Sequence, residues 1–528
     1  MYVGNGPVPT LSFTNPITMR STTLLSCYLL VGSTLFAQSG VLDASWGLAG
    51  TVVTDHSATD ALRSIAVQAD GKVVAAGKFT APLGSGPLVI RYNIDGSLDN
   101  TFGGGDGVVA LIVIGTQDMG GIAIQPDGKI LLCGTVSDSF FLTRFNTDGS
   151  TDMDFGTDGV GSLGTGVPGT SEAKALCLQP DGKILVVGNS DIGGALARFL
   201  PNGMLDPDFG NSNHPGFLRI LGVGNYLALS DIAVQPDGKI LMAGHTGTPL
   251  QFAVSRFLAD GSNNDGPNFG LAGGALVPFG TVADRASAVE LQPDGKILLG
   301  GTVFVDDITF DFGVARLNSD GSLDQSFGSG GKATTGSPAF QETCTSMVLQ
   351  PDGKILLGGY AGNGDMNDLM LVRYNADGVR DSGFGTDGVV ITNVQSNDRG
   401  GALAFQPDGK IIMGGTTVFT NDDLVVLRYL NELTVGVVEF STARGSALVY
   451  PTPLGEQATL SYELKNTEAL SCDLMDANGR LVRSMFANAQ RTAGSHSETL
   501  DVSGMAAGEY ILVLSNGTGR TTVKVVKQ

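Results

Sequence analysis

The feature that most constrains the fold of this 528-residue chain is a pair of motifs repeated seven times. The first is Gln-Pro-Asp-Gly-Lys, with Ala for Pro in the first copy, and it recurs every 54 to 58 residues. Its lysines are Lys72, Lys129, Lys183, Lys239, Lys296, Lys354 and Lys410. The second motif runs from an arginine through Asn/Asp-Gly to Phe-Gly, and its arginines are Arg91, Arg144, Arg198, Arg256, Arg316, Arg373 and Arg428. This period, with many glycines and short apolar runs, is typical of β-propeller blades rather than helical repeats.

Four strand-like runs can be recognised in one repeat, at 107–114, 121–125, 129–133 and 140–145. Between the second and third runs, Pro126 pre-sets φ and Gly128 accepts a positive φ, which predicts a tight hairpin turn. Each second motif ends in a phenylalanine that we expect to wedge between neighbouring sheets: Phe102, Phe155, Phe209, Phe269, Phe327 and Phe384. We therefore predict an all-β fold, a seven-bladed β-propeller of four-stranded antiparallel blades.

The two ends of the repeat array complement each other. Residues 42–47 contain the tail of a repeat without its front, whereas the last copy stops at Leu430 without its tail. Joining the first and last strands would complete one repeat and remove two exposed sheet edges. We predict a closed ring over residues 40–431, and an open β-solenoid is the alternative.

Two stretches carry a family resemblance. Residues 178–185 (LQPDGKIL) and 316–328 (RLNSDGSLDQSFG) resemble the delta-60 repeat, a bacterial β-propeller family of unknown function. The resemblance covers about residues 40 to 430 and implies the propeller fold. It implies no activity and no catalytic residues.

A different module follows the repeats. Residues 432–446 are predicted to be a linker, and residues 447–528 alternate apolar and polar positions between turn signals, which predicts a small antiparallel β-sandwich. The module resembles the type A C-terminal sorting domain of the type IX secretion system of Bacteroidota, although Pro-Thr-Pro stands where that family usually has Pro-Asn-Pro. The resemblance implies export across the outer membrane by the type IX machinery, followed by release or attachment to surface lipopolysaccharide. The residues that carry it are Tyr450, Pro451, Pro453, Gly479, Gly508, Tyr510 and Lys524.

The amino terminus points to the same destination. Met19 and Arg20 precede an apolar run, 24–36, that is shorter than the ~20 residues of a membrane span. We interpret residues 1–37 as an N-terminal extension and a secretory signal peptide whose start is Met19. The sequence thus predicts a protein that is secreted, extracellular or on the outer-membrane surface, with no transmembrane span.

Charge and cysteine content exclude some classes of function. The net charge is −21, from 31 Lys and Arg against 52 Asp and Glu, which argues against a nucleic-acid partner. Outside the leader, four cysteines share no motif spacing, so we expect neither a disulfide framework nor a metal cluster. The Asn-x-Asp-Gly-Ser-x-Asp loops superficially suggest calcium, but their glycine is fourth rather than sixth, and a plain turn is the favoured interpretation. No cofactor is predicted.

Candidate site residues divide into repeated and variable ones. We expect the repeated lysines and arginines to pair with turn aspartates as exposed ion pairs, each worth ~0–1 kcal/mol. The variable connections should all emerge on one face of the ring, where they could bind sugars, cations or a basic protein, or be solvated loops without a ligand. The candidate ligand-binding residues on this face are Asp55, His56, Asp138, Tyr226, Asp284, Arg285, Asp306, Asp307, Asp365, Asp398, Arg399 and Asp422.

We predict a secreted or cell-surface binding scaffold that recognises an extracellular glycan or protein through this variable face. One alternative is an extracellular carbohydrate-active hydrolase or lyase that uses carboxylates of the funnel, and another is a structural surface component. Catalysis has little support, because the four histidines form no metal-ligand pair and no Gly-x-Ser-x-Gly elbow precedes a helix. No catalytic residue can be named.

Overall fold

The computed structural model describes residues 39–527 with short gaps. The gaps are 114, 163–170, 192, 211–214, 221–226, 263, 281–282, 307–308, 337–340, 363–365, 419–420, 432–447, 451–456, 465–466, 477–480, 506–507 and 517–518. The predicted signal peptide and linker lie outside the described residues. None of the described residues belongs to a helix that is long and apolar enough to cross a membrane.

Strand β1 (Thr51–Thr54) precedes six blades that are each built from four consecutive antiparallel strands. Blades 1 and 2 contain β2 (Thr59–Val67), β3 (Val73–Ala81), β4 (Gly84–Tyr92), β5 (Val108–Ala110), β6 (Thr116–Ile124), β7 (Ile130–Val136), β8 (Ser139–Phe145) and β9 (Val160–Ser162). Blades 3 and 4 contain β10 (Ser171–Leu178), β11 (Ile184–Ser190), β12 (Gly193–Phe199), β13 (Phe217–Ile220), β14 (Leu227–Val234), β15 (Ile240–Thr246), β16 (Gln251–Phe257) and β17 (Gly274–Val277).

Blades 5 and 6 contain β18 (Arg285–Leu291), β19 (Ile297–Phe304), β20 (Phe310–Leu317), β21 (Lys332–Thr335), β22 (Gln341–Leu349), β23 (Ile355–Gly362), β24 (Asn367–Tyr374) and β25 (Val389–Thr392). Blade 7 contains β26 (Arg399–Phe405), β27 (Ile411–Val418) and β28 (Asp422–Tyr429), with β1 as its fourth strand. The seven-bladed propeller of four-stranded antiparallel blades is confirmed. The sequence repeat is offset from the blade by one strand, because its first run, at 107–114, contains β5, the outer strand of the preceding blade.

The ring closes as the complementary ends predict. β1 pairs antiparallel with β28, so that Thr51 lies opposite Leu427 and Thr54 opposite Leu424. The preceding segment adds Asp43, whose carboxylate lies 2.9 Å from the guanidinium of Arg428. The amino-terminal segment therefore completes the seventh blade.

The phenylalanines wedge between blades, as expected. Phe102 is fully buried, and its ring occupies the space that a Cβ on Gly149 of the next blade would need, at 2.9 Å. The guanidinium of Arg91 covers the ring at 4.4 Å from its centroid. In the closing blade Trp46 takes the place of the phenylalanine and packs against Gly96 of blade 1 in the same way. A residue without a side chain at the turn is thus what lets adjacent blades approach.

The repeated charged residues form a buried triad in every blade. In blade 1 the Asp99 carboxylate lies 2.7 Å from Nε of Arg91 and 2.8 Å from Nζ of Lys72. Burial alone would raise the pKa of Asp99, but hydrogen bonds from Lys72 and Thr101 and the charge of Arg91 lower it well below its ordinary value. The triad aspartates of the other blades are Asp152, Asp206, Asp265, Asp324, Asp381 and Asp43.

This corrects the expectation of exposed pairs of small energy. Pairing with aspartate is as expected, but the aspartate and arginine are buried, and only the lysine reaches solvent. Each arginine also donates across the blade boundary, as Arg144 does from Nη1 to the carbonyl of Pro201 at 2.8 Å. Removing one partner of such a buried, hydrogen-bonded pair leaves the other charge uncompensated, which costs several kcal/mol.

The C-terminal module contains two antiparallel sheets. Its strands are β29 (Leu448–Tyr450), β30 (Gln457–Leu464), β31 (Glu468–Asp476), β32 (Leu481–Arg491), β33 (Gly494–Asp501), β34 (Gly508–Asn516) and β35 (Gly519–Lys527). One sheet has the order β29-β30-β33 and the other β32-β31-β34-β35. Leu460 of the first sheet and Leu474 and Leu512 of the second belong to one buried cluster. Alternating burial along these strands produces the shared core.

Candidate functional site

The two ends of the propeller differ in what they contain. Successive strands of a blade reverse direction, so the turns after the first and third strands lie at one end, which we call the fixed-turn face. The connections between blades and those after the second strands lie at the other end, the loop face. The repeated triads and Asp-Gly turns belong to the fixed-turn face, whereas the loop face varies from blade to blade. A site particular to this chain is therefore to be sought on the loop face and in the channel beneath it.

The inner strands of all seven blades surround a central channel. Each inner strand contains a β-bulge, as between Leu62 and Ser64 in blade 1 and between Leu229 and Asp231 in blade 4. At the level of the bulges the channel contains a cavity of about 320 Å³, to which every inner strand contributes. A bulge leaves a residue out of the ladder and re-aims its side chain, so each blade presents an extra group to the channel.

Charged side chains gather where the channel opens on the loop face. In blades 1 and 2, Nε of Arg63 lies 2.9 Å from the Asp118 carboxylate, and in blade 3 Lys174 pairs with Glu172. Arg285 and Arg399, in blades 5 and 7, are exposed and have no ion pair among the described residues. Both stand seven residues before the glutamine that ends the inner strand, as do Asp118 and Glu172. Blades 2 and 3 thus place acids, and blades 5 and 7 place bases, at one level of the mouth.

Asp231 lines the channel cavity, and Glu290 lies close enough to be affected by its charge. Asp231 accepts hydrogen bonds of 2.8 Å from the backbone N–H groups of Ile232 and of Val289 in the next blade. Burial raises the pKa of Asp231 to about 6, although these bonds oppose the rise. Burial, and secondarily the charge of Asp231, raises the pKa of Glu290 to about 8. Both shifts favour the protonated carboxyl, and the shift is larger for Glu290.

A thiol stands at the same level as Glu290. Cys177 and Glu290 both come two residues before the glutamine that ends their inner strands. Burial, followed by the charge of Asp231, raises the pKa of the Cys177 thiol to about 11, so it stays protonated and unreactive at neutral pH. The four cysteines of the described residues are free, and the other three are Cys133, Cys344 and Cys472.

Two of the candidate loop-face aspartates hold loops together. Asp284 is buried, and its Oδ2 accepts from the backbone N–H of Phe279 at 2.9 Å. Asp398 is buried as well, accepts from Val394 N–H at 2.7 Å and accepts a hydrogen bond from the Thr417 hydroxyl. Their oxygens stabilise the connections that enter blades 5 and 7, and their predicted ligand binding remains a prediction.

A third aspartate of this kind joins an acidic group. Asp60 accepts from the backbone N–H of His56 at 2.7 Å, and its oxygens lie within 4.8 Å of those of Asp55 and Asp423. Burial and the neighbouring acids raise the pKa of Asp423. The His56 ring meets Phe79 edge-on at 5.7 Å. The three carboxylates are close enough together to hold a cation, and Asp60 also stabilises the loop through its hydrogen bond from His56.

The remaining candidates are separate from one another. Asp138 has a positive φ of 62° in the exposed turn between β7 and β8, a conformation that aspartate tolerates. Asp306 is exposed and accepts from Thr309 N–H at 2.7 Å, and Asp422 begins β28. Tyr226, Asp307 and Asp365 lie outside the described residues. The structure therefore places Arg285 and Arg399 at the loop-face ends of the inner strands of blades 5 and 7.

Sequence reasoning missed the channel carboxyl groups. In the other six repeats the position of Asp231 is held by Ser64, Gly121, Ala175, Ala288, Ser346 and Ala402. Comparing each repeat position across the seven copies would have shown one acid among small residues. The search for variable loops overlooked it because it lies in a strand.

The Asp-Gly turns use their own oxygens. In blade 1, Oδ1 of Asp95 accepts from the backbone N–H and the hydroxyl of Ser97, at 3.0 and 2.7 Å. The last aspartate of the loop, Asp99, binds Lys72 and Arg91. These contacts are those of an Asx turn joined to the triad, and they account for the recurring pattern without a cation.

The predicted sorting-domain residues are partly described. Tyr450 ends β29, Gly508 and Tyr510 lie at the start of β34, and Lys524 lies in β35. Pro451, Pro453 and Gly479 lie outside the described residues.

Comparison with protein-family models finds two matches. A domain of unknown function (DUF5122) beta-propeller matches seven times, at residues 68–102, 125–155, 179–209, 235–262, 292–327, 350–384 and 406–435. A secretion system C-terminal sorting domain matches residues 448–528. No curated protein matches the chain. The family matches coincide with the repeated motifs and with the C-terminal module.

Comparison with solved structures finds matches of low similarity. Sqt1 from Chaetomium thermophilum is 13% identical with a TM-score of 0.40, over 72% of this chain and 99% of that one. Drosophila Semaphorin 1b is 11% identical with a TM-score of 0.37, over 74% and 87% of the two chains. The polysaccharide lyase Uly1 is 11% identical with a TM-score of 0.31, over 72% and 89%. Such distant similarities carry no argument about function.

Taken with the closed ring of seven repeats, these matches show that the repeats of this chain belong to the DUF5122 β-propeller family, joined to a type IX C-terminal sorting domain that makes the protein secreted or surface-located.

Proposed function

We propose that this protein is a secreted binding module that takes an extracellular glycan at the loop face, over the mouth of the central channel. The observation that carries the proposal is that one end of the ring is the same in every blade, whereas the other end differs between blades. On the fixed-turn face the same buried triad recurs in every blade and serves the fold. At the other end the groups differ between blades and surround a polar cavity of about 320 Å³.

The groups around that cavity suit a polyhydroxylated ligand. The hydroxyls of Ser64 and Ser230 line the cavity and have no hydrogen-bond partner among the described residues. Half-buried aromatic rings lie at the same end of blade 5, where Phe304 and Phe310 pack at 4.3 Å between ring centroids. Free hydroxyls can exchange hydrogen bonds with sugar hydroxyls, and aromatic faces can pack against sugar C–H groups.

A protein partner would use the same face differently. A specific protein interface needs roughly 800 Å² on each side, and it would cover the rim loops rather than enter the channel. The two ligand classes are therefore separated by a change inside the cavity, which should affect a glycan that enters it and leave a rim contact intact.

The test is a glycan array probed with the full chain in three forms. The wild type should give a saturable signal on one class of glycan. Ser230→Trp, which places an indole in the cavity, should abolish it, whereas Met153→Trp, at an exposed site in a fixed turn, should not change it. A signal that survives Ser230→Trp, or the absence of any saturable signal, would contradict glycan binding in the channel mouth.

A second candidate function is supported by the channel carboxyl groups. Burial raises the pKa of both Asp231 and Glu290, and the charge of Asp231 adds to the rise for Glu290; a carboxyl kept protonated beside a second carboxyl can serve as a general acid. The candidate is a hydrolase or lyase acting on the bound glycan. Release of reducing ends or unsaturated products from the glycan bound on the array, abolished by Glu290→Gln, would support it. Binding without product from the wild type would exclude it for that glycan.

A further inference from the structure

We propose that the channel mouth selects an anionic glycan, and that Arg285 and Arg399 receive its carboxylate or sulfate group. This inference rests on the proposed function, because it names the class of glycan that the same face would bind. It comes from the distribution of basic residues around the ring, from the register of the inner strands and from the partners of each charge.

Few basic residues of the ring are free for a ligand. Between residues 39 and 431 there are 22 lysines and arginines, and 14 of them belong to the seven triads. Eight remain, and half of these stand on inner strands, namely Arg63, Lys174, Arg285 and Arg399. The inner strands thus carry half of the basic residues that the triads do not use.

Two of these four bases lack a compensating acid. Arg63 is paired with Asp118 and Lys174 with Glu172. Arg285 and Arg399 have no carboxylate within ion-pair distance among the described residues. Arg285 and Arg399 are therefore the basic residues of the inner strands that have no ion-pair partner among the described residues, and they lie on blades 5 and 7.

The strand register places these groups in one arc. Arg285 pairs with Thr302, Thr343 with Tyr360 and Arg399 with Thr416, and each pair is the same position of the inner two strands. Since blades 5, 6 and 7 are consecutive, Arg285, Thr343 and Arg399 occupy the same register position on three neighbouring inner strands. A guanidinium group presents a planar fork of N–H donors that matches the oxygens of a carboxylate or a sulfate.

The surroundings of Arg285 position it without neutralising it. Its guanidinium lies 5.4 Å from the centroid of the Phe304 ring, a cation–π contact that fixes direction. Burial, and then the charge of Arg285, lowers the pKa of His245 to about 4, so this neighbour is neutral at physiological pH. The Arg285 guanidinium therefore lies beside an aromatic ring and a neutral imidazole, neither of which cancels its charge.

The experiment is isothermal titration calorimetry of the full chain with three oligosaccharides of matched length. An oligogalacturonate supplies carboxylates, a sulfated galactan fragment supplies sulfates, and an unsulfated galactan fragment supplies neither. We expect one anionic probe to bind at least tenfold more tightly than the neutral one. We also expect that preference to shrink between 50 and 500 mM salt, because screening weakens exposed charge interactions.

Matched variants locate the effect. R285Q and R399Q should each weaken binding of the anionic probe about tenfold, which equals ~1.4 kcal/mol, and leave the neutral probe unchanged. R285K and R399K should lose less, because they keep the charge. R380Q is the control, since Arg380 is an exposed arginine in a fixed turn that pairs with Asp387. Thermal melting of each variant should match the wild type, because the substituted side chains are exposed.

The outcomes separate the two proposals. Equal binding of the neutral and anionic probes, unchanged in R285Q and R399Q, would overturn the anionic selection and support glycan binding. Loss in R380Q as large as in R285Q would also overturn it. Failure of all three saccharides to bind while an oligoglutamate peptide binds would overturn both proposals in favour of an acidic protein partner. Failure of every probe to bind would overturn both as well.

Discussion

The closure of the ring depends on Trp46, and replacing it with alanine should loosen the amino-terminal strand selectively. Trp46 is fully buried, and its ring packs against Tyr92 at 6.3 Å between centroids and beneath Gly96 of blade 1. An indole buries about 200 Å², which at ~25 cal/mol per Å² corresponds to ~5 kcal/mol, and large-to-small changes of this kind cost ~3–5 kcal/mol. We take about 4 kcal/mol as the expected loss.

That loss should appear first in β1, because β1 is held by only four residue pairs to β28. A loss of about 4 kcal/mol raises the population of the locally opened state roughly a thousandfold. Hydrogen–deuterium exchange of peptides covering residues 51–54 should therefore accelerate by about three orders of magnitude in Trp46→Ala. Circular dichroism at room temperature should still show a folded ring.

The matched control is Phe155→Ala, which removes the equivalent wedge between blades 2 and 3. It should accelerate exchange in those blades and leave β1 protected. Unchanged exchange of β1 in Trp46→Ala, or equal acceleration of β1 in both variants, would refute the view that Trp46 closes the ring as the seventh wedge.

Three further predictions concern the charged groups. Asp206→Asn should lower the free energy of unfolding by ~3 kcal/mol, as measured by denaturant titration, because it leaves Arg198 buried without the carboxylate that lies 2.8 Å from it. The control is Asp294→Asn at an exposed turn, and an equal loss of stability there would contradict a special cost for the triad. The pKa values of the triad aspartates are lowered on folding, so their contribution to folding stability is present above the unfolded pKa of 3.8 and is lost as the pH falls below it. The melting temperature should therefore fall steeply below about pH 4, and a melting temperature that stays constant down to about pH 2 would be inconsistent with this. Glu290 should affect the pH dependence of stability in the opposite direction, because its pKa rises from 4.5 to about 8 on folding. The stability of the wild type should therefore decrease between about pH 5 and 8 relative to Glu290→Gln. Melting temperatures of the two proteins that change in parallel across that range would exclude a buried, protonated Glu290.

The fold could be predicted from local signals that recur. A phenylalanine and a turn glycine, such as Phe102 and Gly149, recur at fixed offsets because each blade buries a ring where the next blade turns; Trp46 replaces the phenylalanine in the closing blade. The truncated ends at 42–47 and 430 follow from the same repetition, since β1 supplies the strand that blade 7 lacks. The features that all blades share, namely the strands, the wedging rings and the closure of the ring, could therefore be predicted from the repeats.

The site was harder to predict because it depends on what the blades do not share. Arg285 and Arg399 are charged residues near variable loops, and their equal distance from the repeated glutamine indicates the common register that the strand pairing shows. In the sequence, Asp284 and Asp398 look like ligand-binding acids in variable loops. In the structure, their carboxylates accept hydrogen bonds from backbone N–H groups of those loops. Spacing along a loop does not show where an oxygen points, so these roles were distinguishable only in three dimensions.

The measurement that tests the central claim most directly is photo-crosslinking of the full chain with a probe built on the glycan that binds best, followed by peptide mapping. The account predicts label in the inner strands and loop-face connections around Ser230, Arg285 and Arg399, removed by an excess of the unmodified glycan. Competed label in the fixed turns, in the C-terminal module, or nowhere in the chain would contradict it.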